Sequence, residues 1–110
     1  MNKIKITEVN DEHILFNNGK EIIFDHNTDC CEDNYADFSQ LEELALETEF
    51  TEPLIFEAVE DAGFRFGNKG KMFFIPCYSI QNGYYTTEID IFYDDEMVLD
   101  FNAEYSYSWD

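Results

Sequence analysis

The clearest pattern in the chain is an alternation of apolar and polar positions towards its C-terminal end. Apolar side chains occupy every second position from Met97 to Trp109, and mostly polar side chains lie between them. A period of two residues is typical of a β-strand that has one buried face and one solvated face. The pattern therefore predicts a strand over 97–109.

The dipeptide Asn82-Gly83 predicts a tight hairpin just before this strand. A type I′ turn requires positive φ at both central residues, and Asn and Gly tolerate that conformation. A two-residue loop at this point aligns Phe74 with Ile91, so that the apolar positions of both arms share one face. A further turn at 94–96 completes a predicted antiparallel three-stranded meander over Lys71–Asp110.

This register determines which side of the first arm is expected in the core. The apolar face is expected to carry Met72, Phe74, Pro76, Tyr78 and Ile80. The solvated face is expected to carry Ile75, Cys77, Ser79 and Gln81. Because the side-chain period of a strand is two, a slip of one residue would exchange the two faces.

Shorter strands are predicted in the first half of the chain. Alternation between turn residues predicts strands over Lys3–Val9, His13–Phe16 and Glu21–Asp25, which would join as a small antiparallel sheet. A further strand is predicted over Leu54–Val59.

One helix is predicted, over Asp37–Glu47. Ser39 followed by Glu42 matches the capping box of a helix N-terminus. Phe38 and Leu41 begin an apolar stripe at helical spacing. The elements together predict one α+β domain over residues 1–110, with a single antiparallel sheet of about six strands and one main helix packed on one face. An apolar fraction of 45 % is enough for one core.

Charge is the strongest functional signal in the sequence. The chain has 25 acidic and 6 basic residues and a net charge of −19, and no Lys or Arg occurs between Glu21 and Phe64. Such a charge disfavours nucleic acid and acidic membranes as direct partners and favours a basic protein surface. The carboxylates expected to bind that partner are Glu42, Glu43, Glu47, Glu49, Glu88, Asp90, Asp100 and Glu104.

Carboxylates repeated along a strand face lie about 6.6–6.8 Å apart and could imitate a phosphate backbone. The sequence therefore suggests a small acidic DNA mimic that inhibits a nucleic-acid-handling protein, such as a CRISPR effector or a restriction enzyme. The alternative is a merely solvated acidic surface on a structural protein.

Two stretches carry a resemblance. His26-Asn27-Thr28-Asp29-Cys30-Cys31-Glu32, with the Leu-rich segment and Pro53-Leu54 that follow, resembles the H-x-x-D-C-C-E motif of a family of small uncharacterised domains from bacteria and their phages. Asn82-Gly83-Tyr84-Tyr85 resembles the second conserved block of that family. The resemblance implies a shared α+β fold and no particular activity.

The loop that carries His26, Cys30 and Cys31 offers a second hypothesis, a metal- or thiol-dependent module. Imidazole and thiolate are zinc ligands, although adjacent cysteines rarely fill two tetrahedral positions. Only His13 and His26 titrate near neutral pH without perturbation, so we expect no enzyme activity and no cofactor. Three cysteines do not form a disulfide framework, and no apolar run suggests a signal peptide or a membrane span. We therefore expect a cytoplasmic protein, in the host cytoplasm if a phage encodes it.

Overall fold

A computed structural model describes residues 3–25, 33–81, 83 and 86–107 of the chain. The strands are β1 Lys3–Ile4, β2 Ile6–Val9, β3 His13–Phe16, β4 Glu21–Asp25, β5 Asp33–Ala36, β6 Phe50–Thr51, β7 Ile55–Val59, β8 Gly63–Asn68, β9 Lys71–Gln81, β10 Glu88–Tyr93, β11 Glu96–Asn102 and β12 Glu104–Tyr107. A 3-10 turn, Phe38–Gln40, and a four-residue helix α1, Glu43–Leu46, lie between β5 and β6. The described residues thus form a mostly β fold, and the predicted α+β class is wrong.

The first of two larger sheets, sheet I, has the strand order β11-β10-β4-β3-β2 and is antiparallel throughout. The predicted N-terminal strands and their antiparallel pairing are confirmed, except that Lys5 interrupts the first of them. The opening residues of that predicted strand, β1, lie outside sheet I and pair with β6 as a separate two-stranded sheet.

The second larger sheet, sheet II, has the order β12-β9-β8-β7, and β5 also pairs with β9. The first half of β9 pairs antiparallel with β8, while its second half pairs with β5 and, in parallel, with β12. The strand predicted over 54–59 is confirmed as β7. Gly67 in β8 adopts a φ of +146°, and an added Cβ would lie 2.3 Å from the carbonyl oxygen of Lys71, so the hairpin to β9 requires glycine there.

The predicted pairing of β9 with β10 is wrong. β10 belongs to sheet I, where it pairs with β4 and β11, whereas β9 belongs to sheet II. The connection between them therefore passes from one sheet to the other instead of closing a hairpin. Its residues Asn82, Tyr84 and Tyr85 lie outside the described part of the chain.

The two faces of β9 are also exchanged relative to the prediction. Phe73, Ile75, Cys77, Ser79 and Gln81 are buried, and Phe74 is 38 % exposed. The sequence pattern misled because two polar side chains lie on the buried face. These side chains are tolerated in the core because they are hydrogen-bonded there, as described below.

The predicted final strand is divided by Ala103. The hairpin of β10 and β11 is confirmed, with Asp94 and Asp95 both at positive φ in its turn. After Ala103 the chain leaves sheet I, and β12 pairs with β9 in sheet II. Of the predicted three-stranded meander, only the pairing across its second turn is therefore confirmed. Residues 108–110 lie outside the described part.

The predicted eleven-residue helix is replaced by the 3-10 turn and α1. Leu41 and Glu42 between them have extended backbones, with ψ of 132° and 139°. The Asp37 side chain accepts hydrogen bonds from the Ser39 backbone N–H and from the Gln40 side chain, which stabilises a local turn at the expense of a continuous helix. The glutamates of this segment carry like charges, so they add no side-chain attraction that would favour a continuous helix.

Sheets I and II pack against each other through an aromatic core. Phe16 of sheet I contacts Phe66 of sheet II, and Phe64 of sheet II contacts Phe101 of sheet I, with ring centroids 6.5 and 6.3 Å apart. Phe50 of the small sheet contacts the rings of Phe16 and Phe66. The core therefore joins all three sheets and leaves the outer faces for charge.

Candidate functional site

Three aspartates form a row across the outer face of sheet I. Asp90 on β10 lies directly opposite Asp100 on β11 and directly opposite Asp25 on β4. Directly paired residues point to the same side of a sheet, and neighbouring strands are about 4.7–4.9 Å apart. Glu88 lies two positions before Asp90 and on the same face. We call Asp25, Glu88, Asp90 and Asp100 the carboxylate row.

The row follows from the alternation of β10. Ile89 and Ile91 are buried in the core, with exposures of 1 % and 0 %, so the acidic residues between and beside them must face outward. The β10–β11 turn then sets the register that places Asp100 opposite Asp90. Sequence reasoning placed Glu88, Asp90 and Asp100 on one face but missed Asp25, because the pairing of β4 with β10 is a long-range contact.

The environment of Asp90 disfavours its charge. Partial burial raises the pKa of Asp90, and the hydrogen bond with Asp100 and repulsion from Asp100, Asp25 and Glu88 raise it further. Each of these contributions favours the protonated form of the Asp90 side chain. The row is therefore a set of hydrogen-bond acceptors whose mutual repulsion a guanidinium or ammonium group would relieve.

Replacing Asp90 by Asn should stabilise the protein slightly at neutral pH. Like charges directly opposite on neighbouring strands cost about 0.2–1 kcal/mol, and Asn removes one of them. Because the folded-state pKa is raised, the folded state takes up a proton at higher pH than the unfolded chain, and wild-type stability recovers as the pH falls through that pKa. The advantage of Asp90→Asn in urea unfolding should therefore shrink at acidic pH.

The matched control for this measurement is Glu12→Gln, which removes a carboxylate from an exposed turn without a described carboxylate opposite it. An equal gain in stability for Glu12→Gln would show that total charge, and not the row, is responsible. A gain for Asp90→Asn that does not change with pH would contradict the raised pKa of Asp90.

The other predicted partner-binding residues lie elsewhere. Glu42, Glu43, Glu47 and Glu49 are exposed on and around α1, which packs near β2 at the far edge of sheet I. Glu104 is exposed on β12, which belongs to sheet II. The structure therefore divides the eight predicted carboxylates among three places and gathers only three of them into the row.

His13 lies on the same outer face, on β3, directly beside the strand that carries Asp25. Its Nε2 is 2.5 Å from a Glu8 carboxylate oxygen and its Nδ1 is 3.0 Å from one of Glu21. Each ring nitrogen of His13 therefore lies within hydrogen-bonding distance of a carboxylate from a neighbouring strand. The sequence identified His13 as titratable, but the pairing of β2, β3 and β4 was needed to find its partners.

A second charged cluster surrounds Lys20. Its Nζ is 3.0 Å from Glu52 and 3.9 Å from Asp94, and it lies 5.9 Å from the ring centroid of Tyr93. The hydrogen bond to Glu52 raises the pKa of Lys20, and the same contact lowers the pKa of Glu52. Burial raises the pKa of Tyr93 to about 12, so its hydroxyl stays protonated and donates to Glu52. Lys20 thus already pairs with Glu52 within this cluster.

Buried polar side chains join β5 and β9 to the start of β10. The Asn34 amide donates to the carbonyl oxygens of Thr86 and Glu88, at 3.0 and 3.1 Å, and accepts from the Ser79 hydroxyl. Gln81 donates to Ser79 and to the Thr86 carbonyl. These side chains satisfy the backbone where the chain changes sheets, so their role is structural.

The predicted metal candidates His26, Cys30 and Cys31 lie outside the described residues. Among the residues that are described, no group of three His, Cys, Asp or Glu side chains is placed to hold a metal ion. Cys77, considered as a further thiol, is buried, and burial raises the pKa of its thiol. It is therefore a small apolar core residue and not a nucleophile.

Comparison of the chain with models of known protein families, with curated proteins and with solved structures finds no match. Within the described residues, no helix has the length and apolar character needed to cross a membrane.

Proposed function

We propose that this protein binds the basic, nucleic-acid-binding surface of another protein and blocks it, as an inhibitor of the anti-CRISPR or anti-restriction type acting in a bacterial cytoplasm. The observation that carries the proposal is the carboxylate row on the outer face of sheet I, in a chain of net charge −19. The association with phages rests on the resemblance of the stretches at 26–32 and 82–85 to small bacterial and phage domains.

The row costs stability, which favours a functional explanation. Asp90 is partly buried and lies directly between Asp25 and Asp100, where like charges repel. Dispersed charges would keep the protein equally soluble without this repulsion. Local departures from the most stable arrangement are typical of functional sites.

The chemistry of the row defines its partner. Carboxylates accept paired hydrogen bonds from guanidinium groups and attract ammonium groups, the same side chains with which proteins hold phosphates. A net charge of −19 also steers the protein towards a positive surface from a distance. Occupation of a basic groove by the row would exclude nucleic acid from it, and no catalysis is required.

The test is capture on the immobilised full-length protein from a bacterial lysate at low ionic strength, followed by elution with duplex DNA. Proteins that are held through their nucleic-acid-binding surface should be released by the DNA and by moderate salt. The triple variant Asp25→Asn/Asp90→Asn/Asp100→Asn should lose these proteins.

The matched control is Asp11→Asn/Glu12→Gln/Asp95→Asn, which removes three exposed turn carboxylates and changes the net charge equally. It should retain the captured proteins. If both variants lost the captured proteins equally, total charge and not the row would explain the binding. Captured proteins that resist both salt and DNA would contradict binding through a basic groove.

A further inference from the structure

An apolar cleft lies between α1, the 3-10 turn and β2. It has a volume of about 270 Å³ and is lined by Val9, Phe38, Ser39, Leu41, Glu43 and Leu46. Leu46 is 45 % exposed, although it belongs to a helix beside the core. Small-molecule pockets are usually about 300–1,000 Å³, so this cleft is suited to one or two side chains of a protein partner.

The cleft has an acidic rim. Glu43 lines it, and Glu42 and Glu47 flank α1 on either side. Among the described residues, no ion pair involves any of these three glutamates. Lys20 and Arg65 pair with other acids, and Lys3 pairs with Glu49 at 3.4 Å. The rim therefore carries unbalanced negative charge around an apolar floor.

The cleft beside Tyr93 provides a useful contrast. It has a volume of about 290 Å³ and also combines apolar and acidic side chains, including Phe56, Val98 and Glu52. Lys20 already lies there and pairs with Glu52. In that cleft the chain itself supplies the cation, Lys20, whereas no described lysine or arginine forms an ion pair with the glutamates beside the α1 cleft.

The geometry points to the α1 cleft as a docking site for a basic amphipathic segment of a protein partner, with an apolar side chain inserted against Leu46 and Leu41 and flanking Lys or Arg side chains on Glu43 and Glu47. The inference rests on the proposed function in taking the partner to be basic. Apolar burial provides the anchor, and charge complementarity excludes acidic segments.

The probe is a labelled short peptide with leucines one helical turn apart, flanked by lysines, titrated with the full-length protein by fluorescence anisotropy. Leu46→Ser should weaken binding at least about tenfold, as expected for loss of an anchor contact. Leu44→Ser is the matched control, because Leu44 is 51 % exposed on the same helix but does not line the cleft. Glu43→Gln/Glu47→Gln should weaken binding and reduce its salt dependence.

Two peptides test the wild-type protein without any variant. A peptide with serine in place of leucine, and one with glutamate in place of lysine, should each bind far more weakly. Equal binding of either peptide, or equal effects of Leu46→Ser and Leu44→Ser, would overturn the cleft. If the labelled peptide lost binding to the Asp25, Asp90 and Asp100 triple variant and kept it with Leu46→Ser, the peptide would bind at the row. That result would overturn the cleft while leaving the proposed function intact.

Discussion

Replacement of Phe16 by alanine is expected to lower the free energy of unfolding by about 3–5 kcal/mol, the usual cost of removing a buried phenylalanine. Phe16 is 1 % exposed, and its ring meets those of Phe50, Phe66 and Tyr93 edge-on at 6.1, 6.5 and 5.9 Å. Those rings belong to β6, β8 and β10, so one side chain connects all three sheets. Such a loss is a large part of the roughly 5–15 kcal/mol that holds a domain folded.

Urea unfolding at moderate salt, which screens the self-repulsion of the chain, measures this effect. Phe74→Ala is the control, because Phe74 is 38 % exposed on the outer face of β9 and should cost much less. If the two substitutions cost the same, Phe16 would not be at the junction of the sheets.

Local patterns predicted the parts of the fold that depend on neighbouring residues. The N-terminal strands, β7 and the β10–β11 hairpin each combine alternation with a short turn, so the sequence within a few residues defines them. The acidic turn at Asp94 and Asp95 is confirmed, and it sets the register in which Asp90 and Asp100 of the carboxylate row lie opposite each other.

The errors arise where distant contacts outweigh local patterns. Asn82-Gly83 signals a hairpin on its own, but β9 buries Phe73 and Ile75 and pairs with β8, β5 and β12 instead of β10. Ser79 and Gln81 look solvated in the sequence, but Ser79 donates to Asn34 on another strand, and Gln81 donates to Ser79 and to the Thr86 carbonyl. Asp25 joins the row only through β4, some 65 positions before its partner Asp90 along the chain (90 − 25).

The carboxylate row extends from the edge strand β11 to the middle strand β4 of sheet I, whereas the α1 cleft lies beside β2, the opposite edge strand. A partner that engaged both would have to span the sheet, and the two contacts would then strengthen each other through effective concentration. The variants of the row and of the cleft therefore report separately on the two contacts with such a partner.

After Phe16→Ala, replacement of Asn34 by alanine is expected to lower the free energy of unfolding most. Asn34 is fully buried, and its amide supplies the hydrogen bonds to the Thr86 and Glu88 carbonyls. Asn34→Ala should cost about 1–3 kcal/mol for each buried group left without a partner. Urea unfolding measures the loss, and the Ser79 hydroxyl is among the groups affected.

Asn34→Asp tests the same network through pH. The aspartate keeps the acceptor for Ser79 but replaces the donor with an oxygen that faces two carbonyls, so burial should raise its pKa. A carboxyl whose folded-state pKa is raised contributes stability below its unfolded pKa and loses it as the pH rises, so this variant should be least stable at neutral and higher pH. Asn17→Asp is the control, because the exposed Asn17 side chain only accepts, from the Lys5 backbone N–H. A loss for Asn34→Asp that is independent of pH would contradict the role of the buried Asn34 amide as donor to the Thr86 and Glu88 carbonyls.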